Sequence, residues 1–236
     1  MSGASAVIVA GGRAERLGSP KQFLPLGGIP LLLWSIRNLG SHSGVGEIVV
    51  VLPAAVAAEP PDWLRAESVR FCIGGETRRE SAGSGVQLVD PGAELILIHD
   101  SARPFVSIDV IDRVVEAASQ VGAALPVLPV VDTIKREEDG MIMETLERSG
   151  LGRAQTPQAF KAGLIRELHA RASETGSTAS DDAALCESEG HPVAAVAGDP
   201  WNLKITTPAD LALAEWLVDS GRAIVPRPRS ESGDPV

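Results

Sequence analysis

Cysteine and histidine are scarce: the chain carries two of the first and four of the second. Cys72 and Cys186 lie far apart and match no metal-ligand spacing, which points to buried thiols in a reducing compartment, with the cytoplasm as the default. So few histidines argue against a histidine-rich metal centre. Positive charge is also in deficit. With a formal net charge of −10 and a pI near 4.9, the surface is unsuited to non-specific binding of nucleic acid or of acidic membranes, and neither is expected as a partner. A small anion can still be held by a local cluster of cations. No apolar run approaches the length of a membrane-spanning helix, and no basic segment precedes the short apolar run near Met1, so a soluble protein is expected. There is no repeat of fixed period, and no Gly-x-Ser-x-Gly nucleophile elbow.

What the sequence does have is a succession of short, branched apolar runs, evenly spaced up to Val218 in a chain of 236 residues. That spacing favours one α/β domain over residues 1–221, followed by a proline-, arginine- and serine-rich tail, 222–236, read as disordered. Ala6 to Ala10 has the composition of a strand buried on both faces, as in a parallel sheet covered by helices. Gly11-Gly12 ends it, and without Cβ atoms these positions let backbone amides approach an anion closely. Arg13, Arg16 and Lys21 supply charge, and Gly18-Ser19-Pro20 breaks the chain so that Lys21 folds back towards the glycines. Neither of two well-known phosphate loops is completed. Gly18-Ser19 has no lysine between glycine and hydroxyl, as a P-loop requires, and Ala14-Glu15 interrupts the glycine spacing of a dinucleotide fingerprint.

Further along, the stretch Pro30 to Gly40 reads as a helix with proline early and Gly40 just past its end, Glu47 to Pro53 and Val69 to Ile73 as strands, and Ala54 to Ala66 as helix interrupted at Pro60-Pro61. Gly74-Gly75-Glu76-Thr77-Arg78-Arg79-Glu80-Ser81 is a second glycine pair between strand and helix. It reads equally as an ordinary turn and as a seat for a nucleobase, whose edge exposed amides and carbonyls would recognise. The strand from Glu94 ends in His99-Asp100, with Arg103 three residues on, and ligands of open α/β sheets bind at such carboxyl ends. Asp100 suits either a turn or a divalent cation arriving with a triphosphate, while His99 reads as a structural hydrogen-bonding group. Ser107 is placed to cap a helix from Ile108 to Gln120 that Gly122 ends, and Ala123 to Val127 follows as a strand. Pro129 to Glu144 carries apolar segments on either side of Asp139-Gly140, a hairpin signal, and a two-stranded arm needs something to dock on. A helix from about Lys161 to Glu174 comes next, and Ser180-Asp181-Asp182 caps another that runs to Glu189. Val193 to Ala197 is a strand, and Thr207 caps a last helix with Pro208 in its first turn.

AGGRAERLGSPKQF, GGETRRES, HDSARPF, VVDTIK, QTPQAF, SDDA and NLKITTPADL occur in that order. With these stretches the chain, from about Val7 to Val218, resembles the 2-C-methyl-D-erythritol 4-phosphate cytidylyltransferase family. The resemblance implies a Rossmann-like nucleotidyltransferase fold, a mostly parallel sheet between helices, with a β-arm at about 132–150 that makes a homodimer. It implies the reaction of CTP with 2-C-methyl-D-erythritol 4-phosphate to give the cytidine diphosphate derivative and pyrophosphate, with Mg2+ alongside CTP, in non-mevalonate isoprenoid biosynthesis. By the same resemblance Arg16 and Lys21 stabilise the transition state, and Arg148 and Lys204 position the polyol phosphate, Arg148 acting across the dimer. Ala10, Gly11, Gly12, Gly75, Glu76, Ser81 and Asp100 fall on nucleotide-contacting positions. Asp100, Arg103, Thr133, Thr156 and Ser180 fall in the substrate region, with Asp100 as the candidate metal ligand. Ala14, Glu15, Ser180 and Trp201 depart from the residues usual in the family. Cytidylyl transfer to ribitol 5-phosphate is the nearest rival reading. A nicotinamide oxidoreductase is disfavoured by the incomplete fingerprint, and a non-catalytic nucleotide-binding protein fits poorly with the retained cations.

Overall fold

Successive residues of a strand point to opposite faces, and β1 (Ala4–Val9) uses both: Ala4, Ala6 and Ile8 enter one core, Val7 the other. The structure, a computed structural model, describes residues 3–11 and 21–228. After β1 come a short 3-10 turn (Lys21–Phe23), the small hairpin of β2 (Pro25–Leu26) and β3 (Ile29–Pro30), helix α1 (Leu31–Gly40) and strand β4 (Val45–Leu52). Helices α2 (Ala54–Ala58) and α3 (Asp62–Arg65), strand β5 (Arg70–Ile73), helix α4 (Arg78–Leu88) and strand β6 (Leu95–Asp100) follow. The second half holds α5 (Ile108–Val121), β7 (Ala123–Pro129), an arm of β8 (Ile134–Glu138) and β9 (Met141–Leu146), and then β10 (Gly152–Ala154) and β11 (Gln158–Lys161). It ends with α6 (Ala162–Thr175), α7 (Asp182–Ser188), β12 (Ala194–Ala197) and α8 (Pro208–Asp219).

The main sheet runs β7-β11-β6-β1-β4-β5, with β10 and β12 also paired to β7. Pairing is parallel between β1 and both β4 and β6, between β4 and β5, and between β12 and β7. β11 runs antiparallel to both of its neighbours. On one face Ala6, Ile8, Val50 and Leu97 pack with Leu32 and Ile36 of α1 and Val110, Ile111 and Val114 of α5. On the other, Val7, Val49, Val51, Ile96 and Ile98 pack with Ala82 and Val86 of α4 and Ile165 and Leu168 of α6. Each large side chain so buried contributes about 1.5–3 kcal/mol. Helix α4 lies unusually close to the sheet: a Cβ on Gly85 would stand 2.3 Å from Val7 Cγ1. No helix among the described residues is long and apolar enough to cross a membrane.

Several expectations are corrected. The sequence reads the stretch before α6 as connection, but it holds β10 and β11, two pieces of antiparallel pairing to β7. Ala154 faces Val127 while Ala159 faces Ala124, so the chain between bulges out at Gln155-Thr156-Pro157. The β2–β3 hairpin is absent from the sequence reading, although Gly27 and Gly28 (φ 58° and 81°) supply the two left-handed residues of its turn. Gly40 lies inside α1, and Ser41 follows as its C-cap. Of the Ser180-Asp181-Asp182 stretch expected to cap α7, Asp181 does so, its side chain accepting from Ala184 N, and Ser180 is exposed. Ser107 precedes α5 as expected but makes no side-chain bond to its amides. In the first part of the segment read as a tail, Arg37 Nη1 donates to Pro226 O at 3.0 Å, and Ala223 and Val225 pack beside Trp34 and Leu26. The arm is a hairpin, with Asp139 and Gly140 (φ 51° and 80°) making its turn. Its strands are exposed, apart from half-buried Ile134 and Leu146.

Candidate active site

The carboxyl ends of β1, β5 and β6 converge on a cleft of about 380 Å3, lined by Ala10, Gly11, Gln22, Gly75, Glu76, Thr77, Arg78, Ser81, Asp100 and Lys204 among others. Two glycine turns form one wall. Ala10 N donates to Val51 O at 2.9 Å and Gly74 N to Leu52 O at 2.8 Å, so the backbone leading into each glycine pair continues the sheet pairing. A Cβ on Gly74 would meet Ser81 Oγ at 2.8 Å and Gly11 Cα at 3.4 Å; only glycine permits this approach. The second turn is fixed by a capping box on α4, in which Thr77 Oγ1 accepts from Glu80 N while Glu80 Oε2 accepts from Thr77 N and Glu76 N. Across the cleft, Gln22 Nε2 donates to Ala10 O at 2.8 Å, which ties the turn carrying Lys21 to the end of β1.

Asp100, the last residue of β6, is the electrostatic centre. Its Oδ2 accepts from Lys204 Nζ at 2.7 Å and its Oδ1 from Arg78 Nε at 3.1 Å. Burial opposes its ionisation, but the Arg78 guanidinium and the Lys204 ammonium outweigh burial and hold the carboxyl well below the usual range. Arg78 also donates through Nη1 to Asp182 Oδ2 at 2.8 Å. Burial alone would make Arg78 easier to deprotonate; Asp182 and Asp100 reverse that and hold its charge more firmly. Asp182 in turn pairs through Oδ1 with His169 Nε2 at 3.1 Å.

Beneath Asp100 a buried polar chain fixes the backbone. Asp100 N donates to Thr156 Oγ1 at 3.1 Å, Thr156 Oγ1 lies 3.1 Å from His99 Nδ1, and His99 Nε2 lies 3.0 Å from Arg103 O. Since the Arg103 carbonyl only accepts, His99 Nε2 carries its proton and Nδ1 accepts from the threonine hydroxyl. Burial lowers the His99 pKa to about 4, which keeps it neutral. Arg103 donates to the carbonyls of Asn202 (2.8 Å) and Ala154 (3.3 Å), and Asn202 Nδ2 donates to Thr156 O at 2.8 Å. The bulge that presents Thr156 and the loop that presents Lys204 are thus clamped to each other. Such a cleft, with glycine-lined backbone on one side and an ion-paired carboxylate on the other, suits a phosphorylated ligand that brings its own charge.

The sequence profile of the 2-C-methyl-D-erythritol 4-phosphate cytidylyltransferase family matches residues 4–220. The chain belongs to that family. Among similar proteins, the cytidylyltransferase of that name from Thermus thermophilus is 44% identical over 214 residues, covering 90% of this chain and 96% of the relative. That from Syntrophotalea carbinolica is 41% identical over 224 residues, covering 91% and 95%. A crystal structure of the Thermus thermophilus enzyme superposes with a TM-score of 0.78 at 41% identity, over 90% of this chain and 98% of that one. The synthase structure from Anaerococcus prevotii gives 0.81 at 27% identity, over 92% and 96%. These matches agree with the α/β nucleotidyltransferase fold expected from the sequence.

Of the positions the cytidylyltransferase resemblance singles out, the structure gathers Ala10, Gly11, Gly75, Glu76, Ser81, Asp100 and Lys204 around the cleft. Thr156 sits behind Asp100, and Arg103 is buried, its guanidinium engaged with backbone carbonyls. Thr133 and Arg148 stand at the arm, exposed, with Arg148 Nη1 donating to Val131 O, and Ser180 is exposed ahead of α7. The structure does not bring these three into the cleft of their own chain. Gly12, Arg13 and Arg16 lie outside the described residues, as does the side chain of Lys21. For a metal, the described residues offer no group of three or more acids, histidines or cysteines. Asp100 is a hard oxygen donor in the cleft, and this fits Mg2+, which binds through one or two carboxylates plus substrate phosphates and water. Sequence reasoning missed Arg78, Asp182 as a buried acid, and His169. One signal was present: Arg78 opens a helix, where a cation opposes the macrodipole unless acids lie near.

Proposed function

We propose that this chain transfers the cytidylyl group of CTP to 2-C-methyl-D-erythritol 4-phosphate, releasing pyrophosphate, as expected of its family in non-mevalonate isoprenoid synthesis. The observation that carries the reading is Lys204 held against Asp100 at the carboxyl end of β6, facing two glycine turns across one cleft. An oxygen of the polyol phosphate attacks the α-phosphorus of CTP; the new P–O bond forms as the α–β bridging P–O bond breaks. Two anions must meet, and charge builds on the equatorial oxygens, so positioning and cations do most of the work. Lys204 meets the polyol phosphate, while Arg16 and Lys21 face the triphosphate by resemblance to the family. Backbone at Ala10, Gly11 and Gly75 lines the cleft where the family resemblance places the cytosine. Asp100 would hold the Mg2+ that accompanies CTP, which when bound offsets triphosphate charge. No protein nucleophile is required.

The exposed arm supports a homodimer: Val131, Met141, Ile142 and Met143 are all more than half exposed, and Arg148 stands at its base. We place Thr133 and Arg148 in the partner's site. Cytoplasmic residence fits the two free thiols, Cys72 and Cys186, the latter buried with its pKa pushed up to about 11 by burial. Pyrophosphate release with each nucleoside triphosphate, paired with methylerythritol phosphate or ribitol 5-phosphate, tests the reading. Turnover confined largely to CTP with methylerythritol phosphate is expected. Equal rates with all four nucleotides, or preference for ribitol phosphate, would overturn it.

A further inference from the structure

Arg78 occupies the first position of α4, where the positive end of the helix disfavours a cation, and two acids keep it there. Asp100 is in the cleft, but Asp182 is not: it is 1% exposed, lies at the start of α7, and spends its other oxygen on His169 of α6. The Arg78–Asp182 bond therefore fixes the guanidinium from behind, while its Nε faces Asp100. Along Asp182, Arg78, Asp100 and Lys204 the charges alternate in sign, each within bonding distance of the next.

This order bears on how Lys204 works. In the free protein its ammonium is 2.7 Å from Asp100 Oδ2, and it must leave that oxygen to meet a substrate phosphate. Its departure would leave Oδ2 for the Mg2+ that accompanies CTP, while Oδ1, in a carboxylate whose side chain is only 11% exposed, needs a charged partner of its own. Arg78 on Oδ1 is that partner, and Asp182 stops it from swinging into the cleft after the same phosphate. We propose that Arg78 is a positioning residue, anchored by Asp182, that keeps Asp100 paired so that Lys204 is free to pass from Asp100 to the polyol phosphate. The inference rests on the role given above to Lys204.

The test is a double-variant cycle on kcat and KM for the polyol phosphate at saturating CTP, using Arg78→Gln, Asp182→Asn, Lys204→Gln and the Arg78→Gln/Lys204→Gln pair. Arg78→Gln is expected to raise that KM roughly ten- to hundredfold, the worth of a hydrogen bond to a charged group, with Asp182→Asn moving it the same way by less. In the Lys204→Gln background no lysine remains to be released, so adding Arg78→Gln should change the KM less than about twofold. Effects that multiply in the double variant, or an unchanged KM in Arg78→Gln, overturn the inference. A Lys204→Gln protein with wild-type kinetics overturns the role of Lys204 itself, and the inference with it. Should Arg78→Gln fail to fold, Arg78→Lys, which keeps a charge beside Asp100 but cannot bridge both acids, is read in the same two backgrounds.

Discussion

His99 titrates far from its ordinary value, and this makes the stability of the protein pH-dependent in a direction that can be worked out. In the unfolded chain the imidazole takes up its proton near pH 6.5, whereas in the fold it resists until about 4. Between those values the unfolded state binds more protons, so stability falls as pH drops through this window and is restored as it rises. At 1.36 kcal/mol per unit, the loss on going from pH 7 to pH 4 is about 3 kcal/mol from this one side chain. The structural reason is burial, which disfavours the charged imidazole; protonation would also place a donor at Nδ1, where the Thr156 hydroxyl already donates. Asn at position 99 cannot titrate, and its Oδ1 still accepts from Thr156. His99→Asn is expected to be less stable than wild type at pH 7, having lost the bond to Arg103 O and some packing, and to lose about 3 kcal/mol less on acidification. Urea unfolding at half-unit steps from pH 7 to pH 4 measures both curves. Parallel curves would refute the argument.

Gly85→Ala pits helix propensity against packing. The gain of about 1 kcal/mol for alanine is outweighed by overpacking of about 1–3 kcal/mol against Val7 and Val51, so a lower urea midpoint is expected and a higher one contradicts the close approach of α4. Asp181→Ala removes the cap of α7 and the acceptor of Gln158 Nε2, costing about 1 kcal/mol or more in thermal unfolding, whereas exposed Ser180→Ala should be neutral. For the arm, Lys204→Ala and Arg148→Ala proteins should each be nearly inactive alone. Co-refolded at equal amounts they should regain roughly a quarter of wild-type activity, because one site in each mixed dimer is then intact. Flat, near-zero activity, with mixed dimers shown to form, would place Arg148 in its own subunit's site.

The central strands and both glycine turns were legible because period, branching and glycine placement are local properties: β1, β4, β5 and β6 each fall within two residues of the sequence reading. β10 and β11 were not, since their pairing to β7 and β6 is set by tertiary register and the bulge at Thr156 masks any strand period. In the site, Asp100 and Lys204 stood out by motif, but their contact joins residues far apart in sequence. Arg78 drew no reading of its own, because both of its acids come from other elements. The chain past Arg222 looked disordered by composition, yet Val225 finds the crevice that Gly27 leaves open against Val218.

The most direct test of the account is pyrophosphate release by Lys204→Ala with CTP and 2-C-methyl-D-erythritol 4-phosphate, set beside its unfolding midpoint. Lys204 is partly exposed and its ion pair with Asp100 lies at the cleft, so the fold should tolerate its removal. Loss of the cation that positions the attacking phosphate costs roughly a hundredfold or more in turnover. That fall is expected with an unfolding midpoint close to wild type. Near-normal turnover in a folded Lys204→Ala protein would contradict the assignment of the chemistry to this cleft.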